Sequence, residues 1–308
     1  MAFSGVEKRF GSTLALDGAT ASFEGRVCLI LGRNGSGKTT LINSLVGLTY
    51  PEAGILRIDG DEFDASRHKR WREGVARVRK SIGFSGDKLG MPTSFTGKEL
   101  LEWTARMGSA RPDNHWILTL EKELHMTDYV EKSLAGYSSG MVQKISLGVS
   151  LVNRPTLVFW DEPTSNMDAG GRKEVAGLVK RLSDEGTSFV IASHVPAEFE
   201  SLVDWMGVMA SGRFIASGRL PDFVQQSNEF EAVAPEPYRL ASRMADEGIC
   251  SEARITGDRV VFVSIVATQD ALSSSDSLGK ATGCRVSSLR KSPKPISRIY
   301  EESIGTAG

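Results

Sequence analysis

Cysteine is scarce in this chain. Among 308 residues there are three, Cys28, Cys250 and Cys284, an odd and scattered set without a C-x-x-C pair. The four His show no metal-binding spacing, so neither a disulfide framework nor a zinc site is expected. Cys28 lies inside an apolar run and reads as a small core residue. An excess of charge is missing too: 37 Lys and Arg stand against 38 Asp and Glu. That balance gives no support to general nucleic-acid binding. No uncharged apolar run approaches the roughly 20 residues of a membrane span. The opening stretch, Met1-Ala2-Phe3-Ser4-Gly5-Val6-Glu7-Lys8-Arg9, lacks the apolar core of a secretion signal. A soluble, reduced, cytoplasmic protein is expected, whose membrane role, if it has one, comes through a partner.

What is present begins with size and core. A 40% hydrophobic fraction over this length suits one large domain and a small one. The stretch that organises the rest is Gly32-Arg33-Asn34-Gly35-Ser36-Gly37-Lys38-Thr39-Thr40, which fits G-x-x-x-x-G-K-[ST]. Before it, Val27-Cys28-Leu29-Ile30-Leu31 reads as a buried strand. After it, Leu41, Ile42, Leu45 and Val46 recur at helical spacing. The glycines let backbone N–H groups and a helix N-terminus face a phosphate. Lys38 supplies charge to the β- and γ-phosphates, and Thr39 offers a hydroxyl to Mg2+. A glycine-rich turn that merely precedes a helix is the bland alternative, and the flanking elements argue against it.

Residues 3–25 read as an edge hairpin containing Phe10, which could stack on an adenine ring but on its own reads more readily as core. A strand is expected over 53–61. In the basic stretch 67–80, Trp71, Val75 and Val78 are spaced as on an amphipathic helix with a solvated charged face; nucleic-acid contact is the lesser reading. A short strand over 81–84 precedes a mostly helical stretch, about 97–150, that looks like an insertion. The apolar strand Thr156-Leu157-Val158-Phe159-Trp160 ends in Asp161-Glu162, and Ile191-Ala192-Ser193-His194 likewise ends in a polar residue. In a parallel sheet these ends surround the ligand crevice. Asp161 is there placed to hold Mg2+ and Glu162 to polarise the attacking water, with a simple helix-capping pair as the alternative. His194 is placed for the γ-phosphate. No N-K-x-D guanine-reading motif and no second substrate pocket are visible.

Further motifs follow in order. Tyr137-Ser138-Ser139-Gly140-Met141 resembles an L-S-G-G-Q signature, and Ser165-Asn166-Met167-Asp168 follows Asp161-Glu162-Pro163. Over about residues 3–225 the chain resembles the ATP-binding subunit of an ABC transporter. The resemblance implies an α/β fold: a P-loop NTPase core sheet with helices on both faces, N-terminal antiparallel strands and a helical insertion. It implies ATP and Mg2+, and a nucleotide sandwich between two such subunits, either a homodimer or a pair with a homologous ATPase. Ser138, Ser139 and Gly140 would then reach the ATP held by the other subunit, and Phe10 becomes the adenine-stacking residue. A separate integral membrane permease becomes the partner, with the chain peripheral on the inner face of the cell membrane. Aligning Ile82-Gly83-Phe84-Ser85-Gly86-Asp87 with the family's I-G-Y-x-P-Q puts Asp87 where Gln is usual, still able to ligate Mg2+.

Domains are expected at 1–227, with the helical part at about 88–150, and at 228–308. The tail reads as strand 229–233, helix 237–247, strand 250–256, strand 259–266, helix 268–280 and strand 284–290. That is the β-α-β-β-α-β order of the ferredoxin-like motif, a small α+β domain. The serines at 273–275 could instead form a loop. A last helix, about 296–303, resembles the family's closing amphipathic helix. Such tails occur on ATPases serving exporters of drugs, polysaccharides or ions. Two other readings stand beside it: a soluble ABC-type ATPase acting on a nucleic-acid or ribosomal partner, and a catalytically silent nucleotide-binding module. The single cassette without long coiled coils argues against the first, and Glu162 with His194 against the second.

Overall fold

The computed structural model describes residues 1–58, 60–86, 90, 92–108, 113–225, 229–265, 272–292 and 296–305. The chain forms two compact units. One is Met1–Gly218 with the described residues from Tyr300 on; the other is Arg219–Ile299. The boundary at 227/228 expected from sequence falls on residues outside the described set.

In the first unit, β1 (Ala2–Phe10) and β2 (Thr13–Ser22) form the edge hairpin. Strand β3 (Val27–Gly32) is buried along its whole length, as its unbroken apolar run requires, and feeds α1 (Lys38–Leu45) through the glycine loop. Strands β4 (Ala53–Ile58) and β5 (Asp61–Asp64) complete an antiparallel sheet in the order β2-β1-β4-β5. Helix α2 (His68–Val78) buries Trp71 and Val75, four residues apart on one face, and leads into β6 (Ile82–Ser85). The helical insertion holds α3 (Gly97–Gly108), α4 (Asn114–Glu123) and α5 (Ser139–Leu151). Asp113 caps α4 by accepting from the Trp116 N–H at 3.0 Å, and the Trp116 indole donates to the Leu151 carbonyl at 2.9 Å, tying α4 to α5. Then come β7 (Leu157–Asp161), α6 (Ala169–Asp184), β8 (Ser188–Ser193), β9 (Trp205–Ala210) and β10 (Arg213–Arg219).

The second sheet of this unit has the order β10-β9-β3-β8-β7-β6, and the pairs from β9 to β6 are parallel. Two side-chain bonds fix α5 against it. Ser85 on β6 meets Ser146 on α5 at 2.6 Å, and the Trp160 indole on β7 donates to Ser150 Oγ at 2.9 Å. The carboxyl ends of β3, β7 and β8 thus emerge side by side, and the residues that follow them build the site.

The second unit holds α7 (Leu220–Gln225), β11 (Glu229–Val233), α8 (Pro237–Asp246), β12 (Cys250–Thr256), β13 (Arg259–Ser264), α9 (Ser275–Thr282) and β14 (Ser288–Lys291). Its strands lie in the order β12-β13-β11-β14, every neighbour antiparallel, over a core that includes Leu240, Met244, Phe262 and Leu278. Helix α9 begins later than sequence spacing suggests. Ser274 caps it by accepting from the Ser277 N–H at 3.1 Å, and Gly283 ends it in the left-handed conformation. The last helix, α10, is Ile296–Gly305.

Candidate active site

The loop between β3 and α1 wraps a cavity of about 480 Å³. Asn34 to Thr40, Asp161 and Glu162 line it, together with Thr13, Leu14 and Ala15 from the β1–β2 hairpin. Two conformations make the loop possible. Gly35 has φ +81° and Gly37 φ +107°, a region that side chains resist. Gly37 also passes close to the hairpin: a Cβ there would lie 2.7 Å from the Ala15 carbonyl oxygen.

Lys38 is buried, and its ammonium donates to the Gly32 carbonyl at 2.7 Å. The same nitrogen lies 3.6 Å from Glu162 Oε1. Ser36 is buried, and its hydroxyl has no partner among the described residues. Asp161, the last residue of β7, is 1% exposed. Glu162 follows in a left-handed conformation, φ +50°, braced by its N–H donating to the Ala192 carbonyl at 2.9 Å. That turn swings its carboxylate toward the end of β8, where Oε2 lies 2.8 Å from His194 Nδ1.

The structure therefore brings together Asn34 to Thr40, Asp161 and Glu162, with His194 joined through Glu162. It does not bring Ser138, Ser139 or Gly140 into that cavity. They form the N-terminus of α5, where Ser138 Oγ accepts from the Met141 N–H at 3.3 Å and the two serines are exposed. Gly140 faces the segment after Glu162: a Cβ on it would stand 3.0 Å from the Asn166 carbonyl oxygen. Phe10 is 53% exposed at the end of β1, with Lys8 Nζ 5.3 Å from its ring centroid, and does not line the cavity. Asp87 lies outside the described residues. Thr13 to Ala15 went unnoticed in the sequence because a hairpin tip gives no sign of what it will face.

A glycine cradle, a buried lysine and acidic strand ends define a nucleoside-phosphate site on a P-loop fold. The family described as ABC transporter matches residues 19–165. A daunorubicin resistance ATP-binding protein of Streptomyces coeruleorubidus is 31% identical over 275 residues, covering 87% of this chain and 84% of that protein. A Nod factor export ATP-binding protein of Burkholderia lata is 29% identical over 250 residues, covering 79% of each. Among solved structures, an ATP-binding subunit of an ABC transporter superposes with a TM-score of 0.64 at 22% identity, covering 73% of this chain and 92% of that one. A dimeric ABC transporter cassette gives 0.64 at 18%, covering 71% and 97%. The chain belongs to the ATP-binding subunits of ABC transporters and is an ATPase of that family. None of its described helices is long and apolar enough to cross a membrane.

Proposed function

We propose that this chain energises export through a separate membrane permease, and that two copies, or one copy and a homologous ATPase, close on two ATP molecules. The observation that carries the catalytic part is the 2.8 Å contact between Glu162 and His194 at the rim of the glycine-loop cavity. Within it, Lys38 and the loop N–H groups hold the β- and γ-phosphates. Glu162 is the general base that orients and deprotonates the attacking water, and His194 fixes its carboxylate and faces the γ-phosphate. Ser138, Ser139 and Gly140 sit at an exposed helix N-terminus, away from their own cavity, as a surface that completes a neighbour's site would be. Phe10, exposed on the hairpin whose tip lines the cavity, is the adenine platform.

The donor set suits Mg2+. The buried Asp161 carboxylate, the exposed Thr39 hydroxyl and the partnerless Ser36 hydroxyl are hard oxygen groups around one cavity. Thr39 and Asp161 would hold the ion, with Asp87 as a further carboxylate, and when bound it neutralises charge on the phosphates. Export is favoured by relatives named for drug resistance and Nod factor export, and a membrane partner by the family's description, ABC transporter.

The test is the full chain with MgATP, alone and co-expressed with a polytopic permease. Glu162→Gln should cut turnover at least 100-fold and accumulate a nucleotide-bound dimer on size exclusion. A monomer under saturating MgATP refutes the sandwich, and wild-type turnover in Glu162→Gln refutes the base. Asp87→Gln should retain most ATPase activity; a loss as large as that of Glu162→Gln removes it from the metal set.

A further inference from the structure

Close in sequence to the Glu162–His194 contact is a second carboxylate, Glu198, that none of the motifs above includes. Glu198 ends a single 3-10 turn, Pro196–Glu198, four residues beyond His194, and its side chain is 8% exposed. One of its oxygens accepts from the hydroxyl of Thr164, which is itself buried two residues beyond Glu162. The other lies 2.9 Å from Arg172 Nη1. Arg172 stands in the first turn of α6 and donates through Nε to the Met167 carbonyl at 3.1 Å. The next residue along, Asp168, caps α6 by accepting from the Gly171 N–H at 2.8 Å. Phe199, adjacent to Glu198, is fully buried and anchors the turn.

We propose that Glu198 is a positioning residue: it clamps the 162–168 loop to the 194–199 loop and so holds Glu162 and His194 at contact distance. Each loop carries one member of that pair. Glu162 departs from β7 in a left-handed conformation, so the strand does not dictate where its carboxylate ends. The sheet and the Glu162 N–H bond to the Ala192 carbonyl set where the two loops begin; farther out, side-chain contacts hold them together. Of the contacts between them, one is the Glu162–His194 contact itself; the Glu198 carboxylate supplies a second through a charge-assisted bond and a hydroxyl bond. Two attachments define the separation of two loops better than one, and misplacing a reacting group by about 1 Å costs on the order of 100-fold in rate.

The inference rests on the roles proposed above for Glu162 and His194, and the experiment separates the two. On the full chain with MgATP, kcat, KM and Tm are measured for Glu198→Ala, Glu198→Gln, Arg172→Ala, Thr164→Val, the double variant Glu198→Ala/Arg172→Ala, and Glu162→Gln. Glu198→Ala should lower kcat about 10- to 100-fold, with the KM for ATP changed less than about threefold. Glu198→Gln should recover most of the rate, because its amide oxygen still accepts from Thr164. The double variant should lose little more than Glu198→Ala alone. Thr164→Val, which keeps the shape of the side chain, reads the same clamp if Glu198→Ala folds poorly, and should lower kcat while the chain remains folded at the assay temperature. Wild-type kcat in both Glu198→Ala and Thr164→Val, beside an inactive Glu162→Gln, overturns the clamp and leaves the general base standing. Additive losses from Glu198→Ala and Arg172→Ala, or Gln no better than Ala, also overturn it. Full turnover in Glu162→Gln overturns both.

Discussion

Alanine at Gly35 and at Gly37 should separate backbone strain from crowding in the phosphate loop. Both residues are left-handed, at φ +81° and +107°. Around Gly35 a Cβ meets nothing within 4 Å, so Gly35→Ala carries strain alone, about 1–2 kcal/mol. A Cβ on Gly37 would lie 2.7 Å from the Ala15 carbonyl oxygen and 3.3 Å from Gly212 Cα, both backbone atoms. Neither can swing aside as a side-chain tip would, so the hairpin or the loop must move. Overpacking of this kind adds about 1–3 kcal/mol. For a unit of this size roughly 2–4 °C accompanies each kcal/mol. Gly35→Ala should therefore lower Tm by about 2–8 °C and Gly37→Ala, with both terms, by about 4–20 °C, the larger of the two shifts. The assay is differential scanning fluorimetry of the nucleotide-free full chain, with circular dichroism to confirm an intact fold. Equal shifts, or a larger one at Gly35, would refute the reasoning that close approach to the hairpin sets the cost.

Other outcomes follow from the same structure. Lys38→Ala should weaken ATP binding by about tenfold or more, read by fluorescence of a nucleotide analogue, since its buried ammonium is held in the loop by the Gly32 and Arg33 carbonyls beside Glu162. Glu121 on α4 is buried, its Oε1 has no hydrogen-bond partner among the described residues, and burial holds its carboxyl above the ordinary range while Lys98 opposes the shift. A folded value above the unfolded one means that stability falls as pH rises from the ordinary carboxylate range through the raised value. Glu121→Gln should flatten that fall and leave the variant the more stable of the two at neutral pH; a Tm–pH curve parallel to that of the wild type would contradict it. Burial, with Asp204 adding, pushes the Cys28 thiol up to about 12, and burial also raises Cys250. At pH 8 only about one Cys28 in ten thousand is then thiolate. Iodoacetamide should modify half-buried Cys284 first, as mapped by mass spectrometry, and early labelling of Cys28 would count against the buried strand.

Much of the site was legible because its chemistry demands particular residues at fixed spacing. A backbone that cradles phosphate needs glycine where φ is positive, a lysine must follow at the helix start, and acidic residues must end apolar strands. Those demands are local, and Gly35, Gly37, Lys38, Asp161 and Glu162 satisfy them in sequence order. The strands of the parallel sheet were legible for a similar reason, since burial on both faces writes a continuous apolar run such as Val27–Leu31 or Leu157–Trp160.

By itself, the sequence determined the phosphate loop, the strands that flank it and the order of the elements, because each of these is dictated by neighbours a few residues apart. Only the tertiary structure decided that Thr13 to Ala15 wall the cavity, that Ser138 to Gly140 stand outside it, and that Glu198 reaches Thr164 and Arg172. Glu198 is 34 residues from Thr164 and its pairing leaves no periodic trace, for a single ion pair between distant loops constrains two positions and nothing in between. Contacts of that kind are fixed by how β7 and β8 lie beside each other, and the residues that follow those strands inherit their meeting from the sheet.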